Sequence, residues 1–163
     1  MSDDPIKDVL MRMPYGFYSI TSHHGDDDNA MVANWLTQVS FTPRLIAMGF
    51  KPSSYSYDLI KESGVFAVNL FLKGDEEAMM PFTKARAKRP DKMENAQYTP
   101  APETGCPILK GAAAYLECKV VKFLDIGGDH EIMVGEVVNA AVIKEGAVTD
   151  TLTLPYVGWS YAG

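Results

Sequence analysis

Cysteine is almost missing from this chain: Cys106 and Cys118 are the only two in 163 residues. They form no C-x-x-C pair, and no histidine stands at zinc-ligand spacing from them. A disulfide framework and a structural zinc are thereby excluded, and two isolated thiols fit a reducing cytoplasm. Positive charge is scarce as well. Lys and Arg total 15 against 21 Asp and Glu, a net charge of −6, which argues against nucleic acid or an anionic membrane surface as the partner. No apolar run reaches the length of a membrane span, and the opening MSDDPIKDVLMRMP is charged, without the apolar core of a signal peptide. The expectation is a soluble cytoplasmic protein. No Gly-x-Gly-x-x-Gly occurs, so a Rossmann dinucleotide site is excluded. The carboxylates are scattered, and no Ser-His-Asp arrangement suggests itself.

What is present is an ordinary folding composition, 47% apolar and 22% charged, in one domain spanning 1–163 that is long enough to bury a core. Asp-Asp-Pro followed by Ile6, Val9, Leu10 and Met13 predicts a short helix over 6–12, closed by Pro14. Alternation predicts a strand over 16–22, then the turn HHGDDDN. His23 and His24 beside Asp26, Asp27 and Asp28 read as a solvated hairpin loop rather than a metal site. Strands follow over 30–41 and 44–50, separated by a Thr42-Pro43 turn. A helix capped by Ser53 or Ser54 runs to Ser63, with Gly64 as its stop. Residues 65–72 read as a strand and 75–82 as a short helix. The stretch 83–105 is an irregular excursion whose Lys84, Arg86, Lys88 and Arg89 form the one strongly basic cluster. It is a solvated surface, or a lid or contact for an anionic cosubstrate. Residues 109–124 and 130–144 form the longest hairpin, with Cys118 as a small core hydrophobe. A polar connection leads to a short aromatic strand, PYVGWSY. Six or seven strands with hairpin connections and one central helix predict a mainly β, antiparallel, barrel-like α+β domain with short peripheral helices.

The stretch 29–71 organises the chemistry. At KPSSYS a strand hands over to a helix, so Lys51, Ser53, Ser54 and Ser56 crowd a helix mouth together with its free backbone N–H groups. That combination suits a phosphate. Helix capping alone explains one of these serines but not all four groups. The neighbouring segment Met31, Val32, Ala33, Asn34, Trp35 and Leu36 lacks clean alternation, as a strand does when one face meets the core and the other a ligand or subunit. Trp35 alone could equally be a core residue of a barrel strand, but Asn34 is disfavoured in β structure.

The ordered pieces NAMVANWLTQVSFTP, the Lys-x-Ser segment before the helix, ESGVFAVNL, the small residues before YLEC, and GGDHEIMVGEV together resemble the flavin reductase-like family of FMN-binding split barrels. The resemblance runs from Pro14 through Tyr161 and is nearest to the flavoredoxin and ferric-reductase-like branch, where a Trp stands as Trp35 does here. It departs from the family at Ala30, usually Gly, and Val32, usually Thr. The resemblance implies a split β-barrel homodimer with FMN at the subunit interface and its ring along Met31–Leu36. It places the phosphate at Lys51, Ser53, Ser54 and Ser56, with Phe50 and Phe82 among the cofactor contacts. His130 corresponds to a family histidine near the nicotinamide or flavin ring; otherwise it is a strand-start histidine in a turn. The implied activity is hydride transfer from NAD(P)H to flavin, with electrons passed to free flavin, a ferric chelate or a redox protein. The alternatives are an FMN electron carrier without NAD(P)H activity of its own, and a split-barrel module with another guest. Since a flavin brings its own redox chemistry, the lack of an acid–base constellation suits the first two.

Overall fold

The computed structural model describes residues 3–162. A seven-stranded antiparallel sheet dominates it, built from β1 (Tyr18–His24), β2 (Asp27–Ala33), β3 (Leu36–Ser40), β4 (Leu45–Phe50), β5 (Val65–Leu70), β8 (Ala114–Leu124) and β9 (Glu131–Val142), in the order β2-β1-β5-β8-β9-β4-β3. A small hairpin of β6 (Tyr98–Pro100) and β7 (Pro107–Leu109) lies apart from it. The helices are α1 (Pro5–Leu10), capped by Asp4, and α2 (Tyr55–Ser63), capped by Ser54 and stopped by Gly64 at φ 72°.

The order of strands dictates the shape. β2 and β3 are the two edges of the sheet, yet only Asn34 and Trp35 separate Ala33 from Leu36. Three Cα–Cα steps span at most about 11 Å, so the sheet must roll until its edges meet. Among the described residues β2 and β3 do not pair with each other. The result is a barrel with an open seam at Asn34-Trp35.

The continuous strand expected over 30–41 is therefore two strands on opposite edges. Asn34 marks the break, as its poor fit to β structure would have it. The expected HHGDDDN loop is also mostly strand: β1 runs through His24, β2 restarts at Asp27, and Gly25 turns the chain at φ 61°. Residues 75–82 give two 3-10 turns, Glu76–Ala78 and Met80–Thr83, with Pro81 interrupting. PYVGWSY is not a strand but a 3-10 turn, Pro155–Val157, followed by an irregular tail, since Pro155 and the left-handed Gly158 oppose extended pairing.

Inside the barrel Ile20, Met48, Phe50, Ile60, Phe66, Val68, Cys118 and Met133 pack together. Gly135 is needed there, because a Cβ would come within 2.6 Å of the Phe66 ring. A second cluster, including Phe17, Phe71, Met79, Phe82, Leu109, Leu152 and Leu154, lies under the excursion and the C-terminal segment. Glu117 is fully buried. Its carboxylate accepts from the Glu103 and Thr104 N–H groups, the Thr104 hydroxyl and Asn139 Nδ2, tying the loop after β6 to the sheet. Burial pushes its pKa up, but these donors outweigh burial and hold it below the ordinary value.

Candidate functional site

The seam opens into a cavity of about 830 Å³ bounded by five parts of the chain. Met31, Val32, Ala33, Asn34 and Trp35 form one wall, and Lys51, Ser53, Ser54 and Ser56 at the mouth of α2 form an end. Phe82 to Ala87 and Lys92 of the excursion form another wall, and His130, Trp159 and Tyr161 complete the rim. Of the residues expected at a binding site, Leu36 and Phe50 are not on this surface. Leu36 lines a smaller neighbouring pocket beyond Trp35, and Phe50 points into the barrel core.

The mouth of α2 divides its labour. Ser54 Oγ accepts from the Tyr57 N–H at 3.3 Å, so this serine is the helix cap. Ser56 is buried, and its hydroxyl accepts from Asn29 Nδ2 at 2.7 Å. Lys51 and Ser53 are exposed at the same mouth. The first N–H groups of an α-helix have no partner within it, and its dipole favours negative charge there.

The excursion adds two cations to this end. Arg86 lines the cavity, with Nη1 donating to Asp27 Oδ1 at 3.1 Å and to the Asp28 carbonyl at 2.8 Å. Lys92 is only 4% exposed, and its Nζ donates to the Lys84 carbonyl at 3.1 Å. Burial, and then the charge of Arg86, push its pKa down to about 8. A buried ammonium with one neutral partner, facing a cavity, favours an anion there. Lys88 and Arg89 are exposed and outside the cavity wall.

At the seam, Asn34 Nδ2 and Asn29 Oδ1 are buried without a hydrogen-bond partner. Both residues line the cavity, although these two atoms themselves are buried behind its surface. Trp35 packs edge-on against His130, ring centroids 4.9 Å apart, and against Tyr161 at 5.0 Å. His130 Nδ1 lies 2.8 Å from Asp129 Oδ1, which holds the Asp129 carboxyl below its usual pKa. Sequence reasoning missed Asn29, Lys92, Trp159 and Tyr161. Asn29 and Lys92 carry no local signal, because each reaches the cavity wall only through packing against distant parts of the chain. The aromatic tail was visible as composition but misread as a strand.

Residues 10–160 match the flavin reductase like domain. This chain belongs to the flavin reductase-like family. It is 30% identical over 143 residues to a ferric-chelate reductase (NAD(P)H) of Archaeoglobus fulgidus, covering 86% of this chain and 83% of that protein. It is 29% identical to diflavin flavoprotein A 1 of Synechocystis sp., covering 90% of this chain but 26% of that protein. The chain thus spans about a quarter of the length of the diflavin flavoproteins it matches. Among solved structures, the NADH:FAD oxidoreductase of Streptomyces globisporus superposes with a TM-score of 0.76 at 28% identity, over 90% of this chain and 85% of that one. As a member of the flavin reductase-like family, the chain has the expected mostly antiparallel architecture, with the barrel left open at its seam.

Proposed function

We propose that this domain binds FMN and works as a flavin reductase-type oxidoreductase, taking hydride from NAD(P)H onto the flavin and passing electrons to free flavin, a ferric chelate or a redox protein. One observation carries the reading: a single cavity joins a cationic, hydroxylated helix mouth to a wall formed by the Met31–Trp35 segment. FMN has the matching chemistry, a phosphate at one end and a ring edged with hydrogen-bond acceptors and a donor at the other. The residues therefore fit the group. Lys51, Ser53, the first N–H groups of α2, Arg86 and Lys92 would hold the phosphate. Asn34 and the backbone of Met31–Trp35 would face the ring. When bound, the flavin supplies the hydride and electron chemistry.

The chain's own groups bind, orient and keep water out. Trp35, Trp159 and Tyr161 make an aromatic rim that limits solvent at the ring end. His130, fixed between Asp129 and Trp35, is the polar side chain of that rim and the candidate to orient a nicotinamide ring. No proton relay is required for hydride transfer, so His130 serves by position. The working unit is proposed to be a homodimer. β3 is an edge strand whose Val39 is 52% exposed, and Phe41 just past its end is 88% exposed; a second copy would cover them.

The purified protein is expected to be yellow and to release FMN on denaturation. Replacing Lys51 and Ser53 together by Ala is expected to weaken FMN retention about tenfold or more while leaving the fold intact. Unchanged affinity in this double variant would put the phosphate elsewhere.

A further inference from the structure

The acidic turn at the β1–β2 hairpin is not an idle solvated loop. Asp27 sits where the hairpin meets both the mouth of α2 and the basic excursion. Its Oδ1 accepts from Arg86 Nη1 at 3.1 Å, and its Oδ2 accepts from the Tyr55 hydroxyl. The Arg86 guanidinium lies over the Tyr55 ring, 4.5 Å from its centroid. Asp28 adds two ties to the same excursion. Its carbonyl accepts from Arg86 Nη1 at 2.8 Å, and its Oδ2 accepts from the Tyr98 hydroxyl at 2.7 Å. His23 braces Asp28 from behind, Nδ1 to Oδ1 at 2.7 Å.

The consequence lies in what is left of Arg86. A guanidinium has five N–H donors in a rigid fork. Among the described residues only Nη1 is engaged, and the side chain lines the cavity beside Lys84 and Lys92. Held at one corner and stacked on one face, the fork keeps its other donors for the cavity. Asp27 itself is not on the cavity wall.

We infer that Asp27 is a positioning residue for anion recognition: through Arg86 and Tyr55 it fixes the free edge of the guanidinium toward the phosphate end of the cavity. The inference rests on the FMN reading above and deepens it. It makes a prediction opposite in sign to simple electrostatics. A carboxylate near an anion site repels the anion, so its removal alone should tighten binding, by about twofold in a partly solvated setting. Loss of positioning should instead weaken it, because Arg86 would have to be ordered at the moment of binding.

The test measures the affinity of the refolded apoprotein for FMN and, separately, for riboflavin, which lacks the phosphate. Asp27→Asn and Asp27→Ala are each made alone and combined with Arg86→Ala, with thermal melting to monitor the fold. Asp27→Asn preserves the shape should the Ala variant melt early. The expected result is a loss of about threefold to tenfold in FMN affinity, with riboflavin affinity unchanged, and no further loss in the Arg86→Ala background. FMN binding as tight as wild type or tighter overturns the inference, as does an equal loss for riboflavin or a full additional loss without Arg86. A wild-type protein that binds neither flavin overturns the functional reading and this inference together. Wild-type FMN binding with any of the other contrary results overturns the inference alone.

Discussion

Replacing Lys92 by Met should make the apoprotein more stable and the flavin-loaded protein less able to keep its ligand. Lys92 is 4% exposed, and burial with the neighbouring Arg86 charge push its pKa from 10.5 down to about 8. That displacement corresponds to at most about 3 kcal/mol of penalty for holding the ammonium charged in the folded chain at neutral pH. Met keeps most of the apolar stem volume and removes the charge. Its one neutral partner, the carbonyl of exposed Lys84, can turn to water. Urea unfolding of the apoprotein at pH 7 should therefore show a gain of about 1–3 kcal/mol in the variant. Because the folded pKa is lowered, the unfolded chain binds more protons between about pH 8 and 10.5, so wild-type stability rises with pH across that window. In Lys92→Met this contribution to the slope disappears. FMN affinity should fall about tenfold, because the charge removed is one that the phosphate relieves. A variant that is no more stable, or that keeps full FMN affinity, would refute the reasoning that Lys92 is a strained cation waiting for an anion.

Three further outcomes are expected. Asn34→Ala should cost the apoprotein little, since Nδ2 is already unsatisfied, but should weaken binding of both FMN and riboflavin by about 1–2 kcal/mol, read by fluorescence titration. Glu117→Gln should lose about 2–4 kcal/mol in chemical unfolding, because an amide meets donors with a donor. The lowered pKa of Glu117 means that its contribution is present above the ordinary glutamate value and is lost as pH falls through the folded one, so the wild-type protein should destabilise on acidification where Glu117→Gln does not. Light scattering on the flavin-loaded protein should report a dimer, and a monomer at working concentration would contradict the covering of β3.

The sequence-level reading succeeded where a signal is local. A cap at Ser53 or Ser54, a stop at Gly64 and the apolar spacing between them predict α2 unaided, the structure choosing Ser54, and the Lys51–Ser56 crowd at its mouth follows from that helix start. The long β8–β9 hairpin was equally plain from alternation around GGD, although its first strand starts at Ala114 rather than at 109, because Lys110 and Gly111 still turn the chain. What local pattern could not show was closure. Nothing near Asn34 says that the strands on either side of it lie at opposite edges of a rolled sheet, although its misfit to β structure marked the spot. Lys92 carries no mark of its own in a stretch of prolines and charges; burial by distant parts of the chain makes it different. Asp27 looked solvated for the same reason, since its partner Arg86 arrives from 59 residues away. The aromatic tail failed through turn chemistry, with Pro155 and Gly158 overriding β-forming neighbours.

On this reading one cavity holds a flavin mononucleotide where a nicotinamide can reach it. Anaerobic addition of NADH or NADPH to the FMN-loaded protein, followed by visible absorption, tests this most directly. Rapid bleaching of the yellow colour, recovered on admitting an electron acceptor, is the predicted result. A colourless protein that refuses added FMN, or a loaded one whose colour neither nucleotide bleaches, would contradict it.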